Sequence, residues 1–383
     1  MRHLPVVMLL IDPSRAYERA LLRGIAHYSH VHGPWTFLRE APFWETPSRK
    51  SLLDQIKTAD GIMMREGPFL DDILKLRIPA VVSNYATEHI PGIANIVSDH
   101  EAIGHMAAQH LIDRGFRHFA FCGYPDLFWS SQRCQGFERG VTAAGFGVHH
   151  YRPPKTCGRL WKHEQPFVMD WLRALPKPVG LMACIDERSQ QVAEACKEAC
   201  ISVPDEVAIV GVDNDEMICT LSSVPLSSVA ISADKGGYEA AKLLDALMRG
   251  RRPATRLIRI QPNRVVTRTS TDIVAVPDSQ VTRALNYIRD SCRRELYVDE
   301  VAKAAGLSRR VLEKRFRATL NRSINQQIQR QRVDIVMKML TESSLTISEI
   351  AIATGFSDAA HIARYFRGQT GISPADYRRQ NHV

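Results

Sequence analysis

No run of apolar residues in this 383-residue chain approaches the roughly 20 needed to cross a bilayer. The longest near the start, from Leu4 to Ile11, is about as long as a strand, and no small-residue cleavage site follows it. A membrane span and a secretory leader are therefore not expected, and a cytoplasmic location is. None of the eight cysteines forms a C-x-x-C pair. Cys196 and Cys200 stand four apart, but no neighbouring His or Cys completes a four-ligand set. Reduced cysteines are expected, with no metal and no cofactor, in keeping with a reducing compartment.

Four catalytic signatures are also missing: G-x-x-x-x-G-K-[ST], G-x-S-x-G, H-E-x-x-H, and G-x-G-x-x-G after the first strand. Their absence argues against nucleotide hydrolysis, serine hydrolysis, zinc peptidase chemistry and dinucleotide binding. Asp213 with Asp215, and Asp186 with Glu187, are the closest approach to paired catalytic acids. A glycosidase, however, sets its acids on opposite sides of the scissile bond. Asp213 and Asp215 would share one face if the strand before them continued. We do not expect an enzyme.

What is present suits a folded protein of two or three domains: 45% hydrophobic and 24% charged residues. The net charge of +9 is unevenly placed. From Asp278 onward there are 18 Lys and Arg against 11 Asp and Glu, whereas the preceding 277 residues carry 32 against 30. A small basic domain on a near-neutral body is the electrostatic footprint of a nucleic-acid binder.

The body alternates strand-like and helical segments. Residues 5–11, 35–39, 61–64, 79–83, 118–123, 179–184 and 207–212 read as strands. Several are apolar throughout, as strands buried on both faces of a parallel sheet are. Residues 16–30, 100–114, 132–144, 187–199 and 235–248 read as helices. Gly115, Gly145 and Gly250 are placed as left-handed caps. Alternation over about 270 residues predicts two α/β lobes with a cleft between them. Residues 272–278 read as a linker, dividing a body at 1–271 from an all-helical domain at 279–383.

The helical domain repeats one design. Residues 298–316 (VDEVAKAAGLSRRVLEKRF) and 347–366 (ISEIAIATGFSDAAHIARYF) each pair two amphipathic helices. Between the helices stand a Gly (Gly306, Gly355), an apolar residue (Leu307, Phe356) and a Ser (Ser308, Ser357). The Gly permits the tight turn, and the Ser is placed to cap the second helix. This is helix-turn-helix grammar, with the second helix of each unit in the major groove of double-stranded DNA.

These residues resemble the AraC-type DNA-binding domain, most specifically over residues 355–378, where Gly355, Phe356, Phe366, Gly371, Ser373, Pro374, Tyr377 and Arg378 stand in the family's pattern. Asn321 replaces a Gly usual in that family. The resemblance implies groove-facing Arg309, Arg310, Glu313 and Lys314 in the first unit, and Ala360, His361 and Arg364 in the second. Arg310 or Arg364 suits guanine O6 and N7, and Glu313 suits cytosine N4.

The body resembles the periplasmic-binding-protein-like sensor of LacI-type regulators. The resemblance is carried by VAIVGVDND (207–215), Pro225-Leu226-Ser227-Ser228-Val229, the helix 236–248, Arg133-x-x-Gly136-Phe137 and Asp99. Ligands in open α/β sheets bind beyond the carboxyl ends of the strands. That rule selects Asp12, Ser14, Tyr17, Arg19, Arg133, Asp186, Arg188, Asp213 and Asn214, with Phe128 and Trp129 as stacking rings. For Asp12, Asp186 and Asp213, helix capping is an equally ordinary role. His149, His150 and Tyr151 read as surface residues of a strand.

A sensor of this kind before an AraC-type domain is the layout of the xylose-responsive activators. This resemblance implies a homodimer on promoter half-sites, a monosaccharide effector such as D-xylose, and RNA polymerase as a partner. Another effector on the same architecture, a DNA-repair alkyltransferase, and a sugar-transport binding protein are the alternatives. The second needs an activated cysteine with a zinc cluster. The third needs a leader and no DNA-binding tail.

Overall fold

The computed structural model describes residues 4–39, 49–68, 70–154, 160–273, 278–294, 296–320 and 322–381. The chain forms two compact units, one of residues 1–112 with 116–273, the other of residues 113–115 with 274–383. Asn321 and residues 274–277 of the expected linker lie outside the described residues.

The first unit opens with β1 (Val6–Leu10), α1 (Ala16–His32), β2 (Thr36–Arg39), α2 (Arg49–Ile56) and β3 (Gly61–Arg65). It continues through α3 (Leu70–Lys75), β4 (Ala80–Ser83), β5 (Ala94–Ser98) and α4 (His100–Ile112). Next come β6 (His118–Cys122), α5 (Phe128–Ala143), β7 (Val148–His150), α6 (Trp161–Ala174), β8 (Val179–Ala183) and α7 (Asp186–Glu198). It ends with β9 (Val207–Val212), α8 (Glu216–Leu221), β10 (Ser227–Ile231), α9 (Ala233–Met248), β11 (Leu257–Ile260) and β12 (Pro262–Val266).

These strands make two six-stranded sheets, ordered β11-β5-β4-β3-β1-β2 and β12-β10-β9-β8-β6-β7. All described pairings are parallel except β10 with β12. The chain therefore passes between the two lobes three times: after β5, after β10, and between β11 and β12. Two α/β lobes with a cleft are what the alternation predicted. The central strands β8 and β9 are buried along their whole length, which explains their unbroken apolar sequence.

Each lobe packs one helix pair through glycines. A Cβ on Gly24 of α1 would lie 1.9 Å from the Asp234 carbonyl oxygen of α9. One on Gly136 of α5 would lie 2.1 Å from the Glu101 carbonyl oxygen of α4. The expected glycine caps adopt left-handed φ values of 84° at Gly115, 86° at Gly145 and 71° at Gly250. After Gly145 the Phe146 amide reaches back to the Val141 carbonyl at 3.2 Å, the Schellman pattern. Tyr151 is not a surface residue: its ring is buried against Trp171, 5.3 Å between centroids.

The second unit holds α10 (Ser279–Ser291), α11 (Val298–Ala304), α12 (Arg309–Leu320), α13 (Ile324–Glu342), α14 (Ile347–Ala353), α15 (Ala359–Thr370) and α16 (Pro374–Asn381). Two cores form here. One gathers Val281, Leu285, Leu312 and Phe316 with Ile324 and Ile328. The other gathers Ile350, Phe356, Ile362 and Phe366 with Val336 and Leu340. The long helix α13 thus gives its first half to one core and its second half to the other. No helix of the described residues is long and apolar enough to cross a membrane.

Candidate functional sites

The first unit carries a cleft of about 500 Å³, counted to its open mouth, where the carboxyl ends of strands from both lobes meet. Its lining comprises Arg15, Tyr17, Glu18, Arg65, Ser83, Asn84, Tyr85 and Ser98 from the first lobe, and His100, Trp129, Arg133, Ile185 and Asp213 from the second. Tyr17, Trp129, Arg133 and Asp213 are the residues that the strand-end rule had already selected.

In the second lobe, Arg133 is nearly buried and donates from Nη1 to the Cys184 carbonyl at 2.6 Å and from Nη2 to Asp213 Oδ1 at 3.3 Å. Its guanidinium lies 5.0 Å from the Trp129 ring centre. Asp213 and Asn214 have φ of 96° and 52°, which swings the chain out of β9. The strand therefore does not continue, and Asp213 and Asp215 do not share a face. Asp213 lines the cleft, whereas Asp215 caps α8 through Met217 and accepts from the other lobe, from Arg19 Nη2 at 2.8 Å and the Ala16 amide at 3.1 Å.

In the first lobe, Glu66 accepts the Tyr85 and Ala86 amides, both at 2.7 Å, and so holds the loop after β4. Arg65 lies over the Tyr85 ring at 4.1 Å and pairs with Glu18 at 3.4 Å. Burial raises the pKa of Glu18, with Arg65 opposing. Burial, with Arg133 and Arg259 nearby, lowers His100 to about 2, so its ring stays neutral. Six buried side-chain atoms on residues that line this cleft have no hydrogen-bond partner among the described residues: Glu18 Oε2, Asn84 Nδ2 and Oδ1, His100 Nδ1, Trp129 Nε1 and Arg133 Nε.

The other expected residues lie outside the lining. Asp12 is exposed and closes its own turn, accepting from the Ser14 amide at 2.9 Å and the Ser14 hydroxyl at 2.8 Å. Arg19 turns to Asp215. Phe128 packs edge-on to His100, 6.4 Å between centroids. Asp186 has no exposed surface; it accepts the Asp215 amide at 2.7 Å and the Ser228 hydroxyl at 2.6 Å. Arg188, also fully buried, forks onto Glu164 at 2.5 and 3.0 Å. Asn214 accepts from Arg268 at 2.9 Å. Of these, Asp186 and Arg188 are buried inside the second lobe. Missed by sequence were Arg15, Glu18, Arg65, Ser83, Asn84, Tyr85, Ser98, His100 and Ile185. Arg65 ends β3, Asn84 follows β4 and His100 follows β5, so the same rule applied to every strand points to these three.

In the second unit, both helix pairs turn on left-handed glycines, φ 71° at Gly306 and 70° at Gly355. Beneath the turns, Leu312 and Phe316 of α12, and Ile362 and Phe366 of α15, are fully buried. On the opposite faces Arg309, Arg310, Lys314, Ala360, His361 and Arg364 are exposed, and Glu313 half-buried. Arg309 is tied to Glu313 at 3.2 Å and to Asp299 at 3.4 Å. Arg310 and Lys314 form no ion pair among the described residues. The cap of α15 is Asp358, not Ser357: its carboxylate accepts the His361 amide at 2.7 Å. The Ser357 hydroxyl bonds His361 Nδ1 at 3.1 Å instead.

Residues 108–271 match the family model of the periplasmic binding protein-like domain, and residues 301–380 match that of a helix-turn-helix domain. The xylose operon regulatory protein of Escherichia coli (strain K12) is 30% identical over 386 residues, covering 98% of this chain and 97% of that protein. The xylose operon regulatory protein of Haemophilus influenzae is 29% identical, covering 97% of each. Among solved structures, the xylose-binding transcription activator XylR is 28% identical with a TM-score of 0.64, covering 100% of both chains. These relatives are transcription regulators. With that identity over almost its whole length, the chain belongs to the family of xylose operon regulatory proteins, in which a periplasmic-binding-protein-like sensor precedes an AraC-type helix-turn-helix domain.

Proposed function

We propose that this regulator holds a monosaccharide, D-xylose, in the cleft of residues 1–271, and that occupancy sets how residues 279–383 engage promoter half-sites. The observation that carries the sugar reading is the set of six buried, unpartnered polar atoms in one cleft. They mix donors and acceptors. Sugar hydroxyls both donate and accept, so each can satisfy either kind, and Tyr85 and Trp129 offer flat surfaces to the ring. The relatives' names supply the choice of xylose.

The ligand favours the closed arrangement of the lobes by its differential affinity; a 100-fold ratio corresponds to about 2.7 kcal/mol. A homodimer presents four helix-turn-helix units to successive major-groove segments. Arg310, Lys314, His361 and Arg364 face bases or phosphates, and Ala360 allows contact with a thymine methyl. The assembly acts in the cytoplasm as an activator, with RNA polymerase as its partner.

The test is thermal denaturation of the purified chain with a panel of pentoses and hexoses. A sugar at 100 times its dissociation constant adds about 2.7 kcal/mol, a shift of several degrees. A shift with D-xylose is expected. A shift with another sugar corrects the specificity, and no shift with any sugar removes the sugar-sensor reading.

A further inference from the structure

The cleft contains one arrangement twice, once in each lobe. In the second lobe Arg133 pairs with Asp213 and lies over Trp129. In the first lobe Arg65 pairs with Glu18 and lies over Tyr85. The two aromatic rings meet across the cleft, 6.3 Å apart at an angle of 47°. Only the second-lobe half is legible in the sequence. The first-lobe half is built with the same care: Glu66 holds Tyr85, Tyr85 supports Arg65, and Arg65 takes one oxygen of Glu18.

The second oxygen of Glu18 is the informative atom. Glu18 is only 6% exposed, and its Oε2 has no partner among the described residues. A buried carboxylate oxygen calls for a donor. Arg65 beside it supplies only donors. A group matching both must donate to Glu18 and accept from Arg65. Two adjacent hydroxyls on the edge of a neutral sugar do this.

We propose that Glu18 and Arg65 form the subsite that selects between sugars, reading two adjacent hydroxyls on the edge turned away from Asp213 and Arg133. This rests on the cleft being a sugar site. Glu18 acts as the acceptor that demands a hydroxyl donor, and Arg65 positions it while serving the neighbouring hydroxyl.

The test is calorimetric titration of the full chain with D-xylose and with its deoxyfluoro analogues, one ring position at a time. Fluorine cannot donate, so the analogue altered at the Glu18 position should bind the native protein about 10- to 100-fold more weakly than xylose. In Glu18→Gln, whose amide can donate to fluorine, that one penalty should fall to a few-fold while penalties at other positions stay as they were. Glu18→Asp keeps the charge but withdraws it by one methylene; it should weaken xylose and retain discrimination at the same position. Melting curves of the ligand-free variants establish that they fold. Equal penalties across positions in native protein and Glu18→Gln, or a uniform loss at every position, overturn the subsite while leaving the sugar reading intact. Failure of the native protein to bind any of the sugars overturns both.

Discussion

Asp215 and Arg19 predict how firmly the two lobes are clasped. Asp215 belongs to the second lobe, and its side chain is 8% exposed. One oxygen caps α8 in its own lobe, at 3.2 Å from the Met217 amide. The other accepts from Arg19 at 2.8 Å and from the Ala16 amide at 3.1 Å, both on the first lobe. Ala16 begins α1, so the carboxylate also meets the positive end of that helix. Arg15 adds a longer pair with Glu187 at 3.5 Å.

A hydrogen bond to a charged group contributes about 1.5–3 kcal/mol, and solvent screening of a partly exposed arginine takes the Arg19 bond to the low end. Arg19→Gln should therefore shift the closed–open balance by about 1–2 kcal/mol, a factor of about 5–30. If sugar binds the closed form, the apparent dissociation constant rises by up to that factor. Asp215→Ala should cost more, because it also loses the Ala16 amide and the α8 cap, the latter about 1 kcal/mol. Titration with D-xylose measures the affinity. Electron–electron resonance between labels at positions 57 and 197, one on each lobe, measures the opening. An unchanged affinity together with an unchanged distance distribution for Arg19→Gln would refute the clasp.

Three further perturbations follow from the same geometry. Burial raises the pKa of Asp186 well above its ordinary 3.8, so the folded state binds the extra proton and stability should fall as pH rises from about 4 through the raised value. Urea midpoints across pH should show that slope in native protein and a shallower one in Asp186→Asn; parallel curves would count against it. Gly211→Ala places a Cβ 2.2 Å from Asp186 Oδ1 and 2.4 Å from Ser189 Oγ, both fixed and buried, and should cost about 1–3 kcal/mol in a melting experiment. Arg310→Ala should weaken promoter binding by about 1–3 kcal/mol and relax preference at one base pair, measured by competition gel shift. Unchanged affinity and preference would remove Arg310 from the interface.

The sequence made the architecture legible where burial leaves a plain trace. β8 and β9 are buried throughout and read as apolar runs; Gly306 and Gly355 mark turns that only a left-handed residue makes cheaply. β10 was not legible, because Ser227 and Ser228 face the core and satisfy their hydroxyls on Arg268, Thr271 and Asp186. A buried serine looks the same in sequence as an exposed one. The same ambiguity misplaced Asp186 and Arg188. Both stand just after a strand, where ligand groups stand, yet both are spent on partners inside the second lobe. Glu18 was passed over for the opposite reason: one place along a helix from Tyr17, it reads as a surface acid until Arg65, from a different strand, is brought beside it.

The turn after β9 places one carboxylate in the cleft and the next on the other lobe. Left-handed backbone at two successive residues without glycine costs about 1–3 kcal/mol each, and persists only where the surroundings hold it. Here four groups do so. Arg133 holds the Asp213 carboxylate, Arg268 the side-chain oxygen of Asn214, Ser228 the Asn214 backbone amide, and Asp186 the Asp215 backbone amide. The result is that Asp213 enters the cleft while Asp215, two residues on, reaches Arg19 and the start of α1. A regular strand would have sent both carboxylates to one side. The turn separates them by a single residue, Asn214, so the carboxylate that lines the cleft and the carboxylate that bonds the other lobe belong to one short strained segment. Buried groups of the second lobe therefore hold the strained turn from which the two carboxylates diverge.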